Sequence, residues 1–177
     1  MVKVFPLLFI LLWSSAFITT KPIIDNSDPF AALAFRFIFV AFGFFLFSIY
    51  SKQKIIIQKK NLIESFLSGV LFHGFYLGGV FFSISKGMPT GIAALIVTLQ
   101  PILTNALSGP ILNEKVTIKQ WVGVLLGFVG AAIVLGFDVG SDIPMIGLVA
   151  TIISLIAITA STIWQKKLSN NLPLSVS

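Results

Sequence analysis

The sequence predicts an all-α protein, a polytopic transmembrane helical bundle with about six spans. Hydrophobic residues make up 56% of the 177 positions, and charged residues make up only 10%. A soluble domain carries roughly 25% charged residues, so a chain this poor in charge could not keep the surface of a soluble globule hydrated. The apolar residues are also gathered into long runs, and the lysines lie unevenly between the runs. Both patterns are typical of a membrane protein.

Six apolar runs account for most of the chain. A helix needs about 20 predominantly apolar residues to cross the hydrocarbon core of a bilayer, and short connectors with turn-forming residues separate the runs. The first run also has features of a cleaved signal peptide, but we interpret it as a span because its removal would leave the loop charges unexplained. In chain order the runs are Val4–Thr20, Phe30–Tyr50, Leu62–Ser85, Thr90–Leu112, Ile118–Phe137 and Ile143–Trp164.

The lysines predict the orientation, because cytoplasmic loops are enriched in Lys and Arg. If the N-terminus is cytoplasmic and the spans alternate, nine lysines fall inside and only Lys21 and Lys86 fall outside. We therefore expect both ends of this chain in the cytoplasm. The four lysines at positions 52–60 fit a topology signal better than a site for anionic lipid. Nucleic acid is not expected as a partner, because the aromatic residues lie in the spans. The nine inside lysines are Lys3, Lys52, Lys54, Lys59, Lys60, Lys115, Lys119, Lys166 and Lys167.

Three spans carry small residues at helical spacing, which is typical of helices that pack closely in a membrane. Glycine is common in membrane helices in any case, so each pattern supports a compact bundle and not an activity. The patterns are Gly74 and Gly78 in the third span, Gly123, Gly127 and Gly130 in the fifth, and Ala150, Ser154, Ala157 and Ser161 in the sixth.

Polar residues inside the second and third spans are the first candidates for function. A charge inside a bilayer is costly and is usually paired or hydrated. Arg36 therefore either binds an anionic group of a substrate or couples to a proton-carrying acid. Alternatively, it extends to the outer interface or pairs with Asp25 or Asp28. His73, with Tyr76 one turn later, either contacts a polar ligand or is a neutral side chain that bonds to a neighbouring helix. Metal sites with several histidines are excluded because the chain has one histidine and no cysteine.

The first and fourth spans supply the other candidates. Trp13 lies deep in its span, although tryptophan prefers the membrane interface, so it forms either a cavity wall or an ordinary packing contact. In the fourth span, Pro101 and Pro110 each remove a backbone donor and are expected to bend or break the helix, while Gln100 and Asn105 could bond to the freed carbonyl groups. Helices broken in this way commonly line the binding sites of transporters.

A carboxylate follows the fourth span. In the predicted orientation Glu114 lies at the cytoplasmic end, where it opposes the helix dipole, so it either gates the inner side or is an ordinary loop acid. The chain contains no G-x-S-x-G or H-E-x-x-H motif. We therefore expect neither an enzyme nor a bound cofactor or metal.

Several segments together resemble the EamA-type half of the drug/metabolite transporter superfamily. The first span contains "LLWSSAFITTKP" (11–22) and the second follows "DPFAALAFRF" (28–37). The most specific stretch is "SISKGMPTGIAALIVTLQPILTNALSGPILNEKVTIKQWVGVLLGFVGAAIVL" (83–135). The resemblance covers essentially the whole chain. Trp13, Arg36, Gln100-Pro101 and Glu114 match recurring family positions.

The resemblance implies a secondary transporter of ten helices, built from two inverted repeats of five, with the substrate cavity between the repeats. Residues 1–137 would be the first repeat, and residues 143–177, ending in "LPLSVS", would begin the second. The expectation is thus an N-terminal fragment of a carrier in a bacterial inner membrane. Such a carrier would export small metabolites or drug-like solutes by alternating access, with a coupling proton as one option. The alternative is a protein complete at six spans that works as a homodimeric half-transporter or channel.

Overall fold

The computed structural model describes residues 4–50, 59–112, 116–135 and 143–169. Within these ranges the chain is helical with short turns and contains no strand, which confirms the all-α prediction. Glu114, most of the predicted inside lysines and the tail 172–177 lie outside the described residues or have undescribed side chains. The helices are α1 (Val4–Asn26), α2 (Pro29–Tyr50), α3 (Lys59–Gly69), a π-helical segment (Val70–Leu77), α4 (Gly78–Ser85), α5 (Thr90–Val97), α6 (Gln100–Leu112), α7 (Ile118–Leu135) and α8 (Met145–Ser169).

Four helical stretches are long and apolar enough to cross a membrane: Pro29–Tyr50, Leu62–Ser85, Thr90–Leu112 and Met145–Lys167. The stretch Ile118–Gly130 is a shorter apolar helix. With the 23-residue helix α1, they correspond to the six runs that the sequence predicts.

Tight turns join the first two helices and the third and fourth spans. The Asp28 side chain caps α2, because its Oδ1 accepts hydrogen bonds from the backbone N–H groups of Phe30 and Ala31 at 3.0 and 2.9 Å. Pro29 occupies the first helical position, where no backbone donor is needed. After α4 the chain turns at Gly87, whose φ of 90° is a conformation that glycine adopts without strain.

The third span is one long helix that changes its hydrogen-bonding pattern in the middle. The π-helical segment Val70–Leu77 joins α3 to α4 without a turn. π-helical turns are rare and occur frequently at functional sites. His73 and Tyr76 both lie in this segment.

The fourth span is interrupted once, at Thr98 and Leu99. Pro101 has no N–H for the carbonyl group of Val97, so the regular pattern cannot continue there. The backbone N–H of Leu99 instead bonds to the carbonyl oxygen of Ile96, three residues back, at 3.1 Å. The helix continues past Pro110 to Leu112. The predicted break therefore occurs beside the first proline and not at the second.

Helix α8 packs along the whole third span in an antiparallel direction. Ser83 Oγ, near the end of α4, donates to the carbonyl oxygen of Gly147 at 2.7 Å and lies 2.7 Å from Thr151 Oγ1. At the other end, the hydroxyl groups of Ser68 and Ser161 are 3.2 Å apart. The third span is therefore the partner against which α8 packs. The contacts join residues 64–93 positions apart in the chain, which a local pattern cannot indicate.

The small residues of α8 form this interface, whereas two of the glycine patterns do not. Ser154 and Ser161 are fully buried against the third span, and the close approach to Ser154 occurs at Gly79. Gly74, which the sequence analysis singled out, has only a side chain of its own helix nearby. In the described part of the chain, a methyl group added at any of the three glycines of α7 would meet nothing within 4 Å beyond the backbone of its own helix; these glycines are Gly123, Gly127 and Gly130.

Candidate functional site

A cavity of about 240 Å³ lies between α1, α2 and the third span. Helix α1 forms one wall, α2 contributes one charged residue, and the π-helical segment with the start of α4 forms the opposite wall. The position matters because all three elements belong to predicted membrane spans. The lining residues are Leu12, Trp13, Ala16, Thr20, Arg36, Phe72, His73, Tyr76, Leu77, Val80 and Phe81.

Arg36 supplies the positive charge of the cavity. It lies about two turns into α2, roughly 10 Å from the start of the helix at 1.5 Å per residue. The two acids proposed as its partners are engaged elsewhere. Asp25 Oδ2 lies 3.5 Å from Lys21 Nζ, and Asp28 caps α2. Among the described residues, no carboxylate lines the cavity or forms an ion pair with Arg36.

Phe72 stands at the centre of the aromatic wall. Its ring lies edge-on to three others, with centroid distances of 6.4 Å to Trp13, 5.0 Å to His73 and 5.4 Å to Tyr76. Edge-to-face pairs at these distances are attractive, because the positive edge of one ring meets the negative face of the other. The wall is therefore held by contacts between α1 and the third span, as well as by contacts within the third span.

His73 and Tyr76 bring polar groups into this aromatic surrounding. The His73 ring lies 4.6 Å from the ring of Phe37 on α2, and in the described ranges it forms no hydrogen bond to another helix. Tyr76 is only 2% exposed, yet its hydroxyl has no hydrogen-bond partner among the residues that the structure describes. Among the described residues, the fully buried side-chain oxygen without a partner is Thr104 Oγ1, so the Tyr76 hydroxyl remains accessible from the cavity. Both residues line the cavity.

The candidates from the fourth span lie apart from this cavity. Gln100 Nε2 donates to Thr162 Oγ1 of α8 at 3.0 Å, so its side chain joins two helices and does not bond to the carbonyl groups near the break. The backbone oxygen of Asn105 accepts a hydrogen bond from Ser108 Oγ at 3.0 Å. Thr98 Oγ1 bonds to the carbonyl oxygen of Leu95 at 2.6 Å and takes over the local role that the amides were expected to have.

Sequence reasoning singled out Trp13, Arg36, His73 and Tyr76, which line one cavity, but it missed Phe72. The available signal was its position in the sequence. Phe72 precedes His73 and lies one helical turn before Tyr76, so its ring can contact the rings of both residues. The sequence contains 18 phenylalanines, and in a chain so rich in them this one did not stand out. No group of three potential metal-binding side chains occurs within the described residues.

Comparison with known proteins decides the family. The model of the EamA-like transporter family matches residues 3–136, about three quarters of the chain. The chain belongs to the EamA-like transporter family.

EamA-like relatives of this chain occur among curated bacterial proteins. The "Probable amino-acid metabolite efflux pump" of Salmonella typhimurium (strain LT2) is 26% identical over 168 residues, which cover 94% of this chain and 54% of the relative. The protein of the same name in Escherichia coli (strain K12) is 25% identical over 169 residues, with coverages of 95% and 54%. The "S-adenosylmethionine/S-adenosylhomocysteine transporter" of Chlamydia muridarum is 26% identical over 133 residues, with coverages of 75% and 41%.

The chain thus spans about half the length of the curated relatives it matches most extensively. No solved structure matches it. Membership in the EamA-like family, together with the apolar helices of spanning length, makes this chain part of an integral, multi-pass membrane protein of a transporter family.

Proposed function

We propose that this EamA-like protein exports a small metabolite or drug-like solute by alternating access, and that the cavity between α1, α2 and the third span is part of the solute path. The observation that carries the proposal is the combination of Arg36, His73 and Tyr76 in one cavity among membrane-spanning helices. Ionisable groups inside a membrane are costly and mark substrate or ion pathways.

The names of the relatives support the direction and the class of solute. Two of them are named as probable efflux pumps for amino-acid metabolites, and a third as a transporter of S-adenosylmethionine and S-adenosylhomocysteine. We extend to this protein the general class, a small organic metabolite, and export as the direction.

Two irregular points support a mechanism in which helices move as rigid pieces. The π-helical segment divides the third span, and the interruption at Thr98 and Leu99 divides the fourth. Discontinuous helices are typical of transporters that alternate between two open states. A coupling proton is compatible with this scheme, with His73 as the group in the cavity that can exchange one.

The proposed organisation follows the sequence analysis: residues 1–137 form the first repeat, and residues 143–177 begin the second. The proposed location is a bacterial inner membrane with a cytoplasmic N-terminus. The antiparallel contacts support the alternation of the spans. The ring of Phe30, at the start of α2, lies 6.4 Å from that of Phe82, near the end of α4, so these two helix ends share one side of the membrane.

Efflux measurements with two matched tryptophan variants test the proposed path. The assay uses cells that express the protein in the form that its natural host produces. These cells would be loaded with labelled amino acids and the corresponding deaminated acids, and the rate of efflux would be measured. Trp13→Ala removes a wall of the cavity, whereas Trp164→Ala removes a tryptophan of α8 that does not line it. We expect Trp13→Ala to lower the efflux rate about tenfold or more, equivalent to about 1.4 kcal/mol, and Trp164→Ala to leave it within about twofold.

Equal efflux by the two variants, at equal protein levels in the membrane, would remove the cavity from the solute path. Absence of efflux for every solute tested, with the unmodified protein correctly inserted, would count against export itself.

The second candidate function is a self-assembling half-transporter or channel-like protein complete at six spans. The observation that favours it is the glycine face of α7, where an added methyl group would meet no other described part of the protein within 4 Å, so that a second copy could pack there. The chain has no cysteine, so Gly127→Cys places a single thiol on this face. A disulfide-linked dimer in oxidised membranes, absent for Ser85→Cys, would support this candidate. A monomer in both cases would refute it.

A further inference from the structure

The charge of the cavity carries an inference about which solutes it accepts. Arg36 is the one formally charged residue in the lining. The acids within the described ranges are Asp25, Asp28 and Glu64, and none of them lines the cavity. Asp25 contacts Lys21, Asp28 caps α2, and Glu64 lies on α3, two turns before the segment that forms the wall. The positive charge therefore has no counter-charge from the described part of the protein.

The neutral polar groups of the cavity add donors near this charge. The hydroxyl of Tyr76 can donate a hydrogen bond, and it has no partner among the described residues although the side chain is 2% exposed. A guanidinium group presents a planar fork of N–H donors that matches a carboxylate, and bonds to an ionised acceptor are stronger than neutral ones. Together, Arg36 and Tyr76 have the donors that an anionic group needs.

The remaining surface is apolar and aromatic. Trp13 on α1 and Phe72 on the third span both line the cavity, and their rings are in edge-to-face contact with centroids 6.4 Å apart. Sites for drug-sized ligands commonly enclose about 300–1,000 Å³, and this cavity of about 240 Å³ is smaller. The bound molecule should therefore be small, with an anionic group at one end and a flat apolar body.

We propose that this cavity selects small organic monoanions, an aromatic or apolar body bearing one carboxylate, with Arg36 as the counter-charge. The inference deepens the proposed function and rests on it for the role of the site in transport. An ammonium group gains no carboxylate partner from the described lining, so a cation of the same shape is disfavoured. A zwitterion of that shape lies between the two.

Three probes with the same ring test the order directly: phenylacetate, phenylalanine and phenethylamine. The protein would be purified in the form that its natural host produces and placed in nanodiscs of phosphatidylcholine, a lipid without net charge. Binding would be followed by tryptophan fluorescence, to which Trp13 contributes from inside the cavity. We expect phenylacetate to bind at least about tenfold more tightly than phenethylamine, with phenylalanine between them. The reason is that Arg36 can pair with a carboxylate, whereas the described lining offers no carboxylate to an ammonium group.

Charge variants connect the order to Arg36. Arg36→Gln should lower phenylacetate affinity about tenfold and abolish the preference for it, and Arg36→Lys should keep most of the preference because the charge remains. Lys86→Gln is the matched control, since it removes an exposed positive charge that does not line the cavity. It should leave all three affinities unchanged. If Arg36→Gln does not fold, the comparison of the unmodified protein with Arg36→Lys across the three probes still decides.

Four results would overturn the inference. Phenethylamine could bind as tightly as phenylacetate, or a folded Arg36→Gln variant could keep the full preference for the anion. The third is that anionic phosphatidylglycerol, and no soluble acid, binds in a manner that depends on Arg36, which would make a lipid headgroup the ligand. Efflux of cationic solutes by an active protein would refute the anion preference and leave the transport proposal standing. If the three probes bind in the expected order but no solute is exported, the transport proposal is refuted and the anion preference stands.

Discussion

Gly79→Ala tests the close contact between α4 and α8. A methyl group at this position would overlap the hydroxyl of Ser154 and lie 3.3 Å from the backbone carbonyl oxygen of Ala150. The serine can turn aside only by giving up its 2.8 Å hydrogen bond to Ala150, and the carbonyl group cannot move without its helix. We therefore expect α4 and α8 to be pushed apart.

The magnitude follows from two opposing effects. Overpacking a tight contact typically costs about 1–3 kcal/mol, and alanine is favoured over glycine in a helix by roughly 0.5–1 kcal/mol. The difference between these ranges is about 0–2.5 kcal/mol, and because a backbone carbonyl group blocks the methyl group we expect a net loss of about 1–2 kcal/mol in the free energy of unfolding. At about 2–4 °C per kcal/mol for a chain of this size, Tm in detergent should fall by roughly 2–8 °C.

A second substitution and a control make the test specific. Ser154→Ala removes the overlapping hydroxyl, so the double variant with Gly79→Ala should recover about 1 kcal/mol relative to Gly79→Ala alone, as expected for residues in contact. Gly69→Ala lies on the same long helix and meets nothing within 4 Å, so its Tm should stay level or rise. A Tm for Gly79→Ala at or above that of the unmodified protein, or no recovery in the double variant, would refute the packing described here.

Three further outcomes are expected from the same fold. Ser83→Ala removes the hydrogen bonds to α8 and should lower the free energy of unfolding by about 1 kcal/mol, within the range for such bonds in membranes. Ser85→Ala is the control: its Tm should not change, because Ser85 bonds only within its own turn. Gln100→Leu should cost roughly 0.6 kcal/mol, and it should cost nothing further in a Thr162→Val background, which a double-mutant cycle in thermal unfolding measures. Ser27→Cys, an exposed thiol in a chain without other cysteines, should react with a membrane-impermeant maleimide in intact cells; labelling only after permeabilisation would reverse the proposed orientation.

The helices could be predicted from the sequence because their signals are local. Run length, the residues of the turns and the lysines between the runs each depend on neighbouring positions. The irregular points were only partly accessible. Pro101 marks the interruption of the fourth span, but Pro110 is tolerated inside α6. The change to π-helical hydrogen bonding in the third span occurs without a proline, so the sequence contains no local signal for it.

The site could be predicted in part, for a physical reason. Polar residues are costly in lipid, so Arg36 and His73 stood out without knowledge of their neighbours, and the structure brings both to one cavity. The same reasoning selected Gln100, whose partner Thr162 is 62 positions away. Because polarity indicates that a residue needs a partner and not which partner it has, the sequence could not separate a side chain that joins helices from one that lines a cavity.

The antiparallel packing of α8 on the third span has a consequence for how the protein is made. Ser83 and Thr151, which contact each other, are 68 residues apart in the chain, and ribosomes add about 5–20 residues per second. The third span therefore enters the bilayer about 3–14 s before its partner exists. During that interval its serine hydroxyls and the surface at Gly79 face lipid or the insertion machinery. The newly inserted third span therefore lacks the polar partners that α8 provides in the mature protein.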